Sequence, residues 1–172
     1  MSHWTIYESP LGPLTLRGGP GGLTALDFPG HGAPLDEARR APAAFAEASH
    51  QLDAYFAGRR QRFELALDLG GTPFQRAVWE RLLAIPYAGT VSYSALARAM
   101  GRPDRVRAVA AAVGRTPVPI IVPCHRAVAI DGALTGYRGG LQRKQALLDL
   151  ERHGAAGLEP PPVWAGKQLA LV

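Results

Sequence analysis

A single cysteine, Cys124, is all that the 172 residues contain. A solitary thiol excludes an intrachain disulfide, and with one histidine beside it falls short of the ligand set of a structural zinc site, so no metal and no cofactor are expected. Long hydrophobic runs are missing as well. None approaches the roughly 20 residues that span a bilayer, and Met1-Ser2-His3-Trp4 has neither the basic nor the apolar stretch of a secretory leader. A cytoplasmic protein without membrane contact is expected. Repeats and low-complexity segments are absent. Acidic residues are scarce in one region: from Thr90 to Gly140 there are seven arginines (Arg98, Arg102, Arg105, Arg107, Arg115, Arg126 and Arg138) against Asp104 and Asp131 alone. With a formal net charge of +5, that clustering points to an anionic partner.

The cysteine stands in Pro117-Val118-Pro119-Ile120-Ile121-Val122-Pro123-Cys124-His125-Arg126. Each proline fixes its own φ and turns the preceding residue toward extended backbone, so the approach to the thiol is stiff and unsuited to helix. Two readings of Cys124 are open: a buried structural thiol, or a nucleophile whose pKa a neighbouring base could lower from about 8.5 to roughly 3.5–7.5.

Composition and period divide the rest of the chain. Trp4–Tyr7, Leu14–Leu16 and Leu23–Phe28 are short β-forming runs parted by Ser9-Pro10-Leu11-Gly12 and Gly18-Gly19-Pro20-Gly21-Gly22, the pattern of a small antiparallel sheet. A loop over 30–42 follows. Phe45, Ala48, Leu52, Tyr55 and Phe56 recur at helical spacing before Gly58, and Phe63, Leu65, Leu67 and Leu69 alternate like a half-buried strand. Gly70-Gly71 then marks a domain boundary. Thr72, Pro73 and Gln75 predict a capped helix whose buried stripe is Phe74, Val78, Leu82 and Ile85. Ser92–Met100, and a second helix capped by Asp104 and running to Gly114, form a helix-turn-helix candidate. That second helix, Val106 to Val113, carries Arg107 as its one long polar side chain. It is too poor in polar groups to read base edges in a major groove, but an alanine face is thin enough to approach a minor groove. Plain core packing is the other reading. Ala127–Ile130 and Ala133–Thr135 flank Asp131-Gly132 as a hairpin. In the last helix, Leu141 to His153, Lys144, Leu147, Leu148 and Glu151 share one face. Glu151 is either a solvated rim residue or an inward acid that orients an imidazole, completing a Cys-His-Glu set.

The segment 117–126, followed by Gly136-Tyr137-Arg138-Gly139-Gly140-Leu141 and the helix ending in Glu151, resembles the O6-alkylguanine-DNA alkyltransferase family, the methylated-DNA-protein-cysteine methyltransferases. The likeness runs from Thr72 to about Arg152, and Ser9-Pro10-Leu11-Gly12-Pro13-Leu14 is similar more loosely. It implies an α/β protein: a small ribonuclease-H-like N-terminal α/β domain (1–70) with a three-stranded antiparallel sheet, a mainly helical, winged-helix-like C-terminal domain (72–154), and a tail (155–172). It implies a monomer that binds double-stranded DNA through the minor groove and takes an alkyl group from guanine O6 irreversibly.

By the same resemblance, Cys124 is the alkyl acceptor, His125 the base that works through a water, and Glu151 the acid behind it. Tyr93 crowds the target phosphate, and Arg107 fills the gap left by the extruded base, with Ala108, Ala111 and Arg115 also facing DNA. Tyr93, Val113, Ala127, Tyr137, Arg138 and Gly139 line the substrate pocket, with Lys144 beside it. Thr116, expected to tie the recognition helix to the reactive loop, departs from the family's usual asparagine at that position. A hydroxyl cannot bridge in two directions as an amide does, which bears on how the thiolate is activated. Two alternatives stay open: a lesion-binding protein without alkyl transfer, and a thiol hydrolase.

Overall fold

The computed structural model describes residues 1–161. From residue 162 onward the expected tail lies outside the described residues. The first three β-forming runs become strands β1 (His3–Ser9), β2 (Gly12–Gly19) and β3 (Gly22–Asp27), antiparallel in that order. Tyr7, Leu14, Leu16, Leu23 and Leu26 fill their inner face, while Trp4 is buried on the other, against Asp36 and Arg40. Helix α1 (Ala46–Phe56) packs Ala48, Leu52, Tyr55 and Phe56 beneath the sheet.

Phe63–Leu69 departs from expectation. Its period-two burial is present, but it forms only an isolated bridge between Leu23 and Leu67, with hydrogen bonds of 2.9 and 2.8 Å joining Leu23 to Ala66 and Asp68. A side chain intrudes where a ladder would continue: the Gln51 amide donates to the Glu64 carbonyl (3.2 Å) and accepts from its N–H (2.8 Å). Alternation therefore reported burial correctly and pairing incorrectly.

Past Gly70-Gly71, Thr72 and Gln75 close a reciprocal capping box on α2 (Pro73–Leu83). Val78, Trp79 and Leu82 are buried, and the Trp79 indole N–H donates to the Ala112 carbonyl at 2.9 Å, tying α2 to α4 (Val106–Gly114). Helix α3 (Tyr93–Ala99), capped by Ser92, meets α4 across a turn at Gly101, whose φ is +68°. Asp104 is not the cap expected of it. Arg105 N–H bonds to the Arg102 carbonyl at 2.9 Å, so Asp104 sits inside that turn, and Arg105 takes the cap position without a side-chain bond.

The proline-rich segment is joined to the sheet by Leu26 N–H donating to the Pro117 carbonyl (2.9 Å). It turns back at Ile120, a buried β-branched residue at φ +74°, a conformation that costs about 1–3 kcal/mol and persists only where packing dictates it. A 3-10 turn, Cys124–Arg126, follows directly. The expected hairpin is reduced to its turn. Ala129 N–H reaches the Ala133 carbonyl (3.0 Å), while β5 (Ala127–Val128) runs parallel to β4 (Val91–Ser92) instead. The pairing partner lay too far along the chain for local alternation to reveal. Helix α5 (Leu141–Ala155) buries Lys144, Leu147, Leu148 and Glu151, all four of the face predicted for it.

The glycine pair at 70–71 offers a test of backbone against packing. Gly71 (φ +77°) has no room for a Cβ, which would lie 2.6 Å from the Trp79 ring; Gly70 (φ +60°) has open space. Gly71→Ala is expected to destabilise by about 2–3 kcal/mol and Gly70→Ala by about 1 kcal/mol, left-handed backbone costing roughly the latter and overpacking supplying the difference. Urea unfolding of the two variants measures both.

Candidate active site

Cys124 and His125 are brought to one place by three constraints: the proline-stiffened approach, the 3-10 turn, and α5 lying against it. The thiol is buried. Burial pushes it up to about 11, while Thr116, the charge of Lys144, a backbone N–H and Arg138 each pull the other way. In the absence of substrate, therefore, Cys124 is a protonated thiol. The lowered pKa of a preactivated nucleophile is not what the site provides.

Beside it, His125 Nε2 lies 2.8 Å from Glu151 Oε2, both side chains fully buried. An ionised carboxylate accepts only, so Nε2 carries a proton directed at Glu151, and Nδ1 is the ring's other site for a proton. Nδ1 is buried and has no hydrogen-bond partner among the described residues. Glu151 points inward and is fully buried. Its burial raises the carboxyl's pKa, but the charge and hydrogen bond of His125 and the two bonds from Arg126 outweigh that and hold it well below the usual carboxylate range.

Two partners of Glu151 were not anticipated. Arg126 grips it with Nε on Oε1 (2.8 Å) and Nη2 on Oε2 (2.9 Å), and uses Nη1 on the Ile85 carbonyl (2.7 Å). Tyr55, from α1, donates its hydroxyl to Oε2 at 2.7 Å. Arg126 adjoins the reactive pair in sequence and was counted only as positive charge. Tyr55 read simply as part of an apolar stripe, and nothing in its spacing betrays a partner 96 positions away.

Of the expected pocket residues, Tyr137 and Arg138 interact with the Cys124 thiol, as do Thr116 and Lys144. Lys144 Nζ donates to the carbonyls of Ala127 (2.7 Å) and Thr135 (3.0 Å) and lies 5.9 Å from the Tyr93 ring. The buried Tyr137 hydroxyl is coupled electrostatically to Cys124. Gly139 packs against the Tyr137 ring. The Thr116 hydroxyl donates to the Val113 carbonyl at 2.7 Å, which links α4 to the site, and it favours the thiolate by turning that one proton to sulfur. Arg107, Ala111 and Arg115 lie elsewhere, on the exposed face of α4, with Ala108 half-buried. The 670 Å³ cavity that touches Pro123 and Arg126 lies between the reactive loop and the extended Phe63–Leu67 segment, and Cys124 does not line it. Among the described residues no three metal-binding side chains gather, and no helix is long and apolar enough to cross a membrane.

Residues 73–153 match the family model described as 6-O-methylguanine DNA methyltransferase, DNA binding domain, and residues 2–69 match the ribonuclease-like domain of the same enzymes. The chain belongs to the 6-O-methylguanine DNA methyltransferase family. A Mycobacterium bovis relative named methylated-DNA–protein-cysteine methyltransferase is 46% identical over 163 residues, spanning 90% of this chain and 95% of its own. One of the same name from Mycobacterium leprae is 48% identical over 155 residues, with 89% and 94% covered. The crystal structure of Mycobacterium tuberculosis OGT in complex with DNA superposes with a TM-score of 0.82 at 46% identity, covering 88% of this chain and 94% of that one. The mixed α/β architecture, a three-stranded antiparallel sheet followed by a mainly helical half, is that of these relatives.

A thiol raised to about 11 has a visible signature. Without DNA, carboxamidomethylation of Cys124 by iodoacetamide should still be rising above pH 9, where an exposed thiol levels off. Thr116→Val, which removes one of the influences favouring the thiolate, should displace the profile further upward. Peptide mass analysis across pH reads the result, and a plateau near pH 8.5 would contradict the raised value.

Proposed function

We propose that this chain repairs alkylated DNA by direct reversal, with Cys124 as the alkyl acceptor for a group carried on guanine O6. The protein is a DNA-repair methyltransferase of the methylated-DNA–protein-cysteine class, and DNA is its partner. What carries the assignment to one residue is the pairing of the chain's only thiol with a buried His125–Glu151 relay whose Nδ1 is unengaged.

In this reading residues 1–70 form a supporting domain and 72–154 the domain that binds DNA and accepts the alkyl group, with 155–172 a tail. A thiol this deeply placed cannot reach O6 while the base remains stacked, so the guanine must be turned out of the duplex. The exposed face of α4 suits the minor groove: Arg107 projects from a surface otherwise made of Ala111, Gly114 and Arg115, and takes the space vacated by the base. Tyr93 crowds the target phosphate. Base and alkyl group enter among Tyr93, Val113, Ala127, Tyr137, Arg138 and Gly139, with Arg138 N–H directed at O6.

His125 Nδ1 takes the thiol proton, directly or through a bridging water, and sulfur attacks the alkyl carbon in line with its bond to O6. The S–C bond forms as the C–O6 bond breaks. The electron pair is left on guanine, and the proton held by His125 is available to the restored base. Donors at O6 and the Lys144 ammonium stabilise the charge as it develops. No group in the site can cleave the thioether, so each molecule acts once, as a monomer in the cytoplasm and without a cofactor.

Incubation with a duplex oligonucleotide bearing O6-methylguanine should add one methyl group to the protein, on the peptide holding Cys124. Repeated turnover with no change in protein mass would overturn the assignment, and lesion binding without transfer would favour the binding-only alternative. Arg107→Ala should slow repair of the duplex by about 10- to 100-fold, since it removes a contribution to the few kcal/mol of unstacking. It should leave reaction with free O6-benzylguanine nearly unchanged. Equal losses on both substrates would place Arg107 elsewhere.

A further inference from the structure

The Ser9-Pro10-Leu11-Gly12 turn lies in the N-terminal sheet, yet it is tied to the far end of the reactive site. Arg143, on the first turn of α5, donates from Nε to the Leu11 carbonyl and from Nη1 to the Gly139 carbonyl, each at 2.9 Å. Its guanidinium lies over the Phe28 ring, 5.5 Å from the centroid. Phe28, just past the end of β3 and fully buried, meets the Tyr137 ring edge-on at 5.6 Å. Gly139 is wedged between these rings so closely that a Cβ would lie 2.9 Å from Phe28 and 3.0 Å from Tyr137.

The segment so held has freedom at both ends. Gly136 (φ +32°) and Gly140 (φ +86°) flank it in left-handed conformations, each with open space around it. Between these two hinges the Tyr137 hydroxyl is buried, close enough to the thiol for Cys124 to add to the rise that burial causes in its pKa. The Arg143 Nη2 atom is buried with no partner among the described residues, an unmade hydrogen bond that a surface arginine would not incur. Hinged segment, wedge and double tether together describe a roof hung from the N-terminal sheet.

We infer that Phe28 and Arg143 are positioning residues that fix the height of the Tyr137–Gly139 roof over Cys124 and thereby limit the size of the alkyl group the site accepts. The inference rests on the alkyl-transfer reading of Cys124. Phe28 acts as a stop behind Tyr137. Arg143 holds the backbone of Gly139 to the Leu11 turn, which explains why a turn remote from the thiol belongs to the recognisable part of the N-terminal sequence. With the stop shortened or the tether broken, the two glycine hinges allow the roof to withdraw, and a bulkier group gains room that a methyl group does not need.

The test is a competition between sizes under single-turnover conditions. Wild type, Phe28→Ala and Arg143→Lys, all as full-length chains, are each reacted with duplexes bearing O6-methylguanine or O6-benzylguanine, and Cys124 adducts are followed by mass. Lysine keeps the charge but cannot hold both carbonyls in a planar fork. In both variants the benzyl-to-methyl rate ratio should rise at least fivefold over wild type. A ratio that stays within twofold or falls, whatever the absolute rates, would overturn the inference by making both residues merely structural. Should Phe28→Ala fail to fold, Arg143→Lys decides alone. Absence of methyl transfer by wild type would instead overturn the assignment of Cys124 itself, so the two failures are told apart.

Discussion

The carboxylate of Glu151 accepts from His125, twice from Arg126, from the Tyr55 hydroxyl and, at 3.3 Å, from the backbone N–H of Ala88. A charge buried to this degree would cost several kcal/mol if any large part of that set were lacking. The requirement is mutual. Helix α5 can bury Glu151 only where the 3-10 turn presents Arg126 and His125, and only where α1 brings Tyr55 from the other half of the chain. One anion thus fixes the relative placement of α1, the loop after α2, the reactive turn and α5. The His125 imidazole is oriented by the same carboxylate that holds the two halves together.

Much of this was legible in the residues and some was not, and the division has a physical basis. Strands β1–β3, the capping box of α2 and the buried face of α5 rest on local period and capping chemistry, which a linear reading can see. The pairing of Ala127–Val128 with Val91–Ser92, the amide of Gln51 replacing a ladder at Glu64, and the Tyr55 hydroxyl on Glu151 are contacts between distant segments. No spacing rule reaches them. Asp104 shows the opposite failure: the right residue type stood near the right place, but a competing backbone turn at Arg102–Arg105 took the position. The expectation that Thr116, Tyr137, Arg138 and Lys144 bear on the thiol came from resemblance, and the interactions of these four with Cys124 give it a physical basis.

The state of the thiol reconciles burial with reactivity. A resting thiolate in a closed site would be open to adventitious electrophiles and to oxidation. Here desolvation favours the proton on sulfur, while Thr116, Lys144 and Arg138 favour the anion. The groups that favour the anion are in place before any substrate arrives.

The indole of Trp79 has one more consequence. Its N–H is spent on the Ala112 carbonyl, in the middle of the helix whose outer face carries Arg107 and Ala111. Indole emission responds to hydrogen bonding and to small changes in the field around the ring. A shift of α4 relative to α2 would alter that bond. The fold therefore places an indole, shielded from solvent, against the inner side of α4, where its emission would report on the packing of that helix.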